Sequence, residues 1–406
     1  MKKWIRRALL LALIGCMAAS GPAALGEGDI VIPDVTVRAF DIPDNEAMAF
    51  LRSLGAGWNL GNTMDATDDH LRGSDLQLER YWCGVMTTRS VFEALADAGF
   101  CTVRIPVSWH NHVSGDDFAI NGPWLDRVQE LVDWALGAGL NVIVNTHHDV
   151  SADFYYPDAD HLDASLRYMK AIWTQVSARF AGYDERLIFE SMNEPRLAGT
   201  DHEWWFESAS AECLEAADCI NQLNQAFVDT VRAGGGMNAT RYLMVPGYDA
   251  APANTNPAYF RLPEDSADNR IIVSAHAYLP YSFALDTKGG SSFSLDNLQQ
   301  TGDIGAAMNT LYERFISRGI PVVMGEYGAL NKNNLQDRVD LTAYYVASAS
   351  ARGIPCLWWD NNAFQGRGEN FGLLNRAALD WPFPEIVEAI MRYALKPAGE
   401  TPCRAE

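Results

Sequence analysis

Short apolar runs, each followed by a longer amphipathic stretch, recur from about residue 56 to residue 360, and this rhythm leaves the chain few architectures. The runs are Ala56–Leu60, Thr102–Val107, Asn141–Thr146, Leu187–Ser191, Tyr242–Pro246, Ile271–Ala275, Val322–Gly325 and Cys356–Trp359. Rich in Val, Ile, Phe and Trp and too short for helices, they read as strands. Between them apolar residues recur at helical spacing. Over Trp124–Leu136 the stripe is Leu125, Val128, Leu131, Val132 and Ala135. Leu166–Phe180 and Ala306–Arg318 behave similarly, and Gly139 and Gly319 stand where a left-handed helix cap favours glycine. Eight strand–helix units predict an α/β chain, a single-domain (β/α)₈ TIM barrel over residues 46–396. An open doubly wound sheet would need a glycine-rich phosphate turn after its first strand, and GWNLGNTMD is not one.

The flanks read differently. Lys2, Lys3, Arg6 and Arg7 precede the apolar run Ala8–Ile14 and then small residues, the layout of a secretory signal over residues 1–26. The run is too short for a membrane span. Ala24-Leu25-Gly26 suits an ordinary signal peptidase, whereas Leu13-Ile14-Gly15-Cys16 has the form of a lipobox that would leave a lipid on Cys16. Both routes export the chain. Residues 27–45 read as a lead-in and 397–406 as a tail. The formal charge of −21 grows more negative once the four leader cations are gone, which argues against nucleic acid or an anionic membrane as partner. Cys101 and Cys356 lie in apolar runs and read as buried small hydrophobes, while Cys213 and Cys219 are near enough in sequence for a local bridge. No CxxC pair or Cys/His cluster suggests a metal.

In such a barrel, reacting groups project from the C-terminal ends of the strands. Arg104 lies on the second run. His147, His148 and Asp149 follow the third, and Asn193, Glu194 and Pro195 the fourth. His276 and Tyr278 follow the sixth, Glu326 the seventh, and Trp358, Trp359 and Asp360 close the eighth. Polar groups are thereby phased to one end. Two carboxyls at strand ends suit glycosidic-bond hydrolysis, in which one acid protonates the leaving oxygen and one carboxylate attacks, about 5–5.5 Å apart for retention. Their mutual repulsion separates the two roles, and a nearby Arg104 would keep Glu326 ionised.

LIFESMNEPR (187–196) resembles the signature segment of glycoside hydrolase family 5, and VVMGEYG (322–328) resembles its strand-7 segment. The likeness runs from GWNLGNTMDA (57–66) to WWDNNAF (358–364) and is closest in detail to subfamily 4. The resemblance implies Glu194 as acid/base and Glu326 as nucleophile. It places Arg104, His147, Asn193, His276, Tyr278 and Trp359 around the cleavage subsite. Where that group usually has Trp-Gly-Asn-Pro, this chain has Trp82-Cys83-Gly84-Val85, a departure that touches loop detail or a distal subsite.

The remaining candidates are weighed against plainer roles. Adjacent His147 and His148 invite a metal, but strand alternation points them to opposite faces and no spaced carboxylate partner is visible. His147 is expected to contact substrate, with His148 beside it. Glu190, four before Glu194, is expected to be a buried hydrogen-bonded support, and His110 and His112 to brace a loop. Trp359 is the best stacking candidate, followed by Trp82. Trp204 and Trp205, just past the acid/base, are placed as the floor of a positive subsite. Trp58, Trp109, Trp358 and Trp381 default to core. Asn62 is a candidate sugar ligand and Asn361 a weaker one. The expected protein is a monomeric, exported, cofactor-free retaining endo-β-1,4-glucanase. Its partner would be a β-glucan: cellulose derivatives, mixed-linkage glucan or xyloglucan. Lichenase, xyloglucanase and mannanase action are the alternatives within the family. A non-catalytic glycan-binding barrel is the rival of another class, and the presence of both carboxyls argues against it.

Overall fold

A computed structural model describes residues 29–68, 70 and 76–397. Eight parallel strands close into a barrel: β1 (Gly57–Leu60), β2 (Thr102–Ile105), β3 (Asn141–Asn145), β4 (Leu187–Glu190), β5 (Leu243–Pro246), β6 (Ile271–His276), β7 (Val322–Tyr327) and β8 (Cys356–Asp360). They run around the barrel in sequence order, and β1 closes it by pairing with both β2 and β8, with Trp58 opposite Val103 and Trp358. Every strand residue is buried, as expected of strands with side-chain core inside and helices outside. Each strand lies within two residues of its sequence-based bounds.

Helices cover the outside. Gly122–Gly137 starts on an Asn121 side-chain cap that accepts from the Trp124 amide at 3.3 Å, with Pro123 in its first turn. It buries the whole expected stripe of Leu125, Val128, Leu131, Val132 and Ala135. The expected helix over 166–180 spans Leu162–Arg179. The one over 306–318 spans Leu298–Arg314 and continues as a 3₁₀ turn to Arg318. Gly139 and Gly319 carry φ of 88° and 77°.

One unit departs from the expected repeat. Between β5 and β6 the chain makes only two 3₁₀ turns, Tyr248–Ala250 and Pro252–Asn254. Pro252, Pro257 and Pro263 remove backbone donors at intervals too short to leave room for a helix.

The lead-in is a strap rather than a free end. Val31 exchanges two hydrogen bonds with the Gln336 side chain, at 2.9 and 2.7 Å, and Tyr393 OH ties Pro33 and Val35. Phe40 lies against the Arg352 guanidinium. The leader, Cys16 and the tail from residue 398 onward fall outside the described residues.

Two cysteine readings are corrected. Cys101 is disulfide-bonded, so it is more than a small hydrophobe. Cys213 and Cys219 are free. Both sit on the helix Ala211–Ala233, where six residues of rise separate them by about 9 Å, beyond disulfide reach. Cys356 is free and buried, as expected.

Candidate active site

The strands deliver a buried charged network to the C-terminal mouth. Its hub is Arg104 on β2, which is fully buried. Its Nε donates to Glu190 Oε2 at 2.7 Å, and Nη1 donates to Glu326 Oε1 at 2.7 Å and to Asn59 Oδ1 at 3.0 Å. Nη2 donates to Asn193 Oδ1 at 2.7 Å. Burial opposes the guanidinium charge, but Glu190 and Glu326 more than offset it, so the group stays protonated. Glu190 takes a further bond from Ser274 Oγ at 2.6 Å, which makes it the support expected of it.

Glu326 is held from both sides. Tyr278 OH donates to its Oε2 at 2.9 Å while Arg104 occupies Oε1. Burial, and then the carboxylates of Glu326 and Glu194, hold the Tyr278 phenol well above its ordinary range, so it remains a donor. Glu194 meets His276, whose Nδ1 lies 2.8 Å from Glu194 Oε1 and 3.8 Å from Glu326 Oε1. One oxygen of Glu194 and one of Glu326 lie within 4.8 Å of each other. That spacing fits the closer of the two glycosidase geometries, in which both carboxyls act on one sugar carbon.

His147 and Trp359 flank this network. His147 is buried and lies parallel to the Trp359 indole, 5.7 Å between centroids and 1° between planes. Asn145 Oδ1 accepts from the Val107 amide, so its Nδ2 donates to His147 Nδ1 at 3.1 Å. Burial, then His148 and Arg104, keep His147 neutral, and the proton therefore sits on Nε2 as a donor. Trp359 can lie across the end of β1 only because residue 61 is glycine: a Cβ there would stand 2.7 Å from the indole Cζ2.

Further out, His148 Nε2 approaches Asp65 Oδ2 at 3.9 Å and its ring lies 5.7 Å from that of Trp82, which is 41% exposed. Asn62 has a left-handed φ of 57° and binds Asp65 Oδ2 through its backbone N–H. No hydrogen bond joins its side chain to Arg104, Glu194 or Glu326 among the described residues, so it marks a turn rather than part of that network.

The sequence pattern of the cellulases (glycosyl hydrolase family 5) matches residues 62–365 of this chain. The chain belongs to glycoside hydrolase family 5. It is therefore an O-glycosyl hydrolase. It is 47% identical to endoglucanase 1 of Ruminococcus albus over 342 residues, 84% of this chain and 79% of that protein. A family 5 lichenase structure from Caldicellulosiruptor sp. F32 matches with TM-score 0.88 at 51% identity, covering 89% of this chain and 99% of that one. A GH5-4 broad-specificity endoglucanase from Ruminococcus champanellensis, solved with cellotriose, matches with TM-score 0.81 at 43% identity, covering 87% and 100%.

Within this family 5 site the charges define how protons are held. Burial raises Glu194, but the His276 hydrogen bond and the charges of His276, Arg196 and Arg104 bring it below its ordinary range. Burial lowers His276, and the Glu326 and Glu194 carboxylates more than reverse this. Burial and the Glu194 charge leave Glu326 raised despite His276 and Arg104, while its two hydrogen bonds favour the ionised form near neutrality. One proton thus rests between His276 and Glu194. His276 Nε2 is buried without a hydrogen-bond partner, so the imidazolium is poorly satisfied and yields that proton readily to Glu194. Activity should be lost as pH falls through the raised Glu326 value and again as pH rises past the shared proton. In His276→Asn the alkaline limb of kcat/KM should move to lower pH and the acid limb to higher pH, because the His276 charge also holds Glu326 down; an unmoved alkaline limb would refute the shared proton.

Several contributors were invisible in sequence. Asn59 sits mid-strand, and its Nδ2 also reaches the carbonyls of Gly325, Leu357 and Trp358, locking β1 to β7 and β8. Its signal was a lone amide in an apolar run. Asp65 comes to His148 from 83 residues away and, contrary to the sequence reading, gives the histidine pair a carboxylate neighbour. His147, His148 and Asp65 offer atoms within 4.8 Å of one another. The His147 tautomer nevertheless points an N–H, not a lone pair, away from Asn145, which disfavours a metal there. Asn361 accepts from Ala363 and Phe371 amides and donates to the Glu369 carbonyl, so it braces the β8 loop rather than facing a sugar. His110 binds Asp149 and His112 stacks on Trp124, as expected of braces.

Proposed function

We propose that this enzyme is a retaining endo-β-1,4-glucanase in which Glu194 is acid/base and Glu326 is nucleophile. The observation that carries the roles is the asymmetry of the pair. Glu326 has an arginine on one oxygen and a tyrosine on the other, which fixes a carboxylate for attack, whereas Glu194 shares a transferable proton with His276. Glu194 gives its proton to the departing glycosidic oxygen as Glu326 bonds to the anomeric carbon. The resulting Glu194 carboxylate then takes a proton from water, which attacks the same carbon and releases Glu326. Two inversions give net retention. His147 Nε2–H and the Trp359 face support binding of the sugar on the nucleophile's side.

The 51% identity to a lichenase and 43% identity to a broad-specificity endoglucanase favour mixed-linkage glucan as well as cellulose derivatives as substrate. Reducing-sugar release should be measured on carboxymethyl cellulose, mixed-linkage β-glucan, xyloglucan and glucomannan. Activity on the first two is expected. Binding of all four with release from none would replace the hydrolase reading by a glycan-binding one. The basic–apolar start at residues 1–26 supports export, which intact-mass analysis of the mature chain would check for processing at Gly26 or lipidation at Cys16.

A further inference from the structure

The short turn that follows β5 is bent against its own preferences and fastened to the acid/base segment. Asp249 and Ala250 both adopt left-handed backbone, with φ of 57° and 48°. Residues with a side chain disfavour that conformation, alanine especially, and it persists where the surroundings over-determine it. Here they do. The Asp249 N–H donates to the Pro195 carbonyl at 2.9 Å, one residue past Glu194. Beside it, Tyr248 OH accepts from the Leu197 amide at 3.0 Å and donates to the His202 carbonyl at 2.6 Å. Asn254 Nδ2 holds the turn from its far side, donating to the Tyr248 carbonyl at 3.2 Å.

This places the Asp249 carboxyl in a cluster of charges. Glu194, Arg196 and Glu203 face it from the segment after β4, and Tyr248 stands next to it on its own turn. His276 of β6 enters the cluster through its 2.8 Å contact with Glu194. Three carboxyls thus face one arginine, and that arginine is held elsewhere. Arg196 Nε pairs with Glu203 at 3.4 Å, Nη1 donates to the Glu194 carbonyl at 2.8 Å, and the guanidinium lies 3.9 Å from the centre of the Trp204 ring. Asp249 Oδ1 is buried without a hydrogen-bond partner. Burial, and then the Glu194 charge, push the Asp249 carboxyl up to about 8; Arg196 opposes this only in part and Glu203 adds to it. At neutral pH Asp249 is therefore mostly uncharged.

We infer that Asp249 is a positioning residue that acts through Glu194, a third carboxyl that keeps the acid/base proton in place under alkaline conditions. This rests on the reading of Glu194 as acid/base. The coupling between the two sites is reciprocal. Since a charge on Glu194 makes Asp249 harder to ionise, a charge on Asp249 makes the Glu194–His276 pair hold its proton more tightly. As the medium turns alkaline, Asp249 competes with the pair to release a proton. When Asp249 releases first, the pair faces a second negative charge and keeps its own.

Asparagine matches aspartate in shape and tolerates left-handed backbone, so Asp249→Asn removes the ionisable group and keeps the turn. On cellotetraose, the alkaline limb of kcat/KM should move to lower pH by about 0.5 or more in this variant. The acid limb should stay in place, because Asp249 is uncharged there in wild type as well. An alkaline limb that stays put, or moves to higher pH, would overturn the inference. A substrate whose leaving group needs no proton, 2,4-dinitrophenyl β-cellobioside, separates this outcome from failure of the acid/base reading. The wild-type alkaline limb should vanish on it. Its persistence would sink Glu194 as acid, and Asp249 with it; its loss, with an unmoved cellotetraose limb in Asp249→Asn, would sink Asp249 alone. Thermal unfolding gives a second measure. A carboxyl raised in the fold contributes stability that is complete below its unfolded pKa of about 4 and is lost as pH rises through about 8. The thermal midpoint of Asp249→Asn should therefore gain a few degrees on wild type between about pH 5 and about pH 8. A difference that does not change with pH would show Asp249 already ionised in the fold and would overturn the inference.

Discussion

In Glu326→Ala, β-glucan hydrolysis is expected to fall by about 10⁴-fold or more, because no other group on the nucleophile's side can form the covalent intermediate. Folding should be retained. The change removes a carboxylate buried beside another, and Arg104 keeps Glu190, Asn59 and Asn193 as partners. The thermal midpoint should therefore stay close to wild type or rise. Azide makes the assignment stereochemically decisive. In Glu326→Ala, azide can occupy the vacated space and displace an activated leaving group in one inversion, giving the α-glycosyl azide. In Glu194→Ala the glycosyl-enzyme still forms from an activated substrate, and azide then attacks from the leaving side, giving the β-glycosyl azide. Product configurations reversed between the two variants would mean that the roles are exchanged.

Arg104→Met is expected to damage both activity and stability, unlike either glutamate variant. The guanidinium neutralises Glu190 and Glu326, both buried, and removing one member of a buried ionic group costs about 3–5 kcal/mol. Urea unfolding should show a lowered midpoint with an unchanged slope. Since the cost comes from stranded charge, adding Glu190→Gln to Arg104→Met should recover part of it, whereas Glu190→Gln alone should be destabilising. Purely additive effects would show that the arginine acts by packing. Activity should fall by at least about 100-fold in Arg104→Met, because Glu326 would then be raised further and spend more of its time protonated. The acid limb should shift to higher pH accordingly.

The two predictions share one physical source. Burial pushes the Glu194 and Glu326 carboxyls up, and the partners each glutamate finds decide what it does. Glu326 has a permanent cation and a phenol, Glu194 has a histidine that can give its proton back, and Glu190 has Arg104 and Ser274. Residue type alone does not distinguish these three glutamates.

The sequence by itself determined the barrel and which polar residues gather at its C-terminal mouth. Strand and helix periods are local properties, set by which side chains within ten or so residues face a core, so all eight strands and the Leu125–Ala135 stripe were legible. Phase along each strand also announces which residues reach the C-terminal mouth, and Arg104, Asn193, Glu194, His276, Tyr278 and Glu326 were found in this way. Only the tertiary structure decided the rest. Asn59 as a lock on β7 and β8, Asp65 beside His148 and the His147–Trp359 stack each join residues far apart in the chain, and no local pattern records which polar atoms will meet. The failed Cys213–Cys219 bridge shows the reverse: nearness in sequence gave way to helix rise, which holds the two sulfurs apart. The missing helix between β5 and β6 was set by prolines whose lost donors outweigh the repeat. The left-handed turn at Asn62, held by its backbone N–H on Asp65, was likewise outside any local strand pattern.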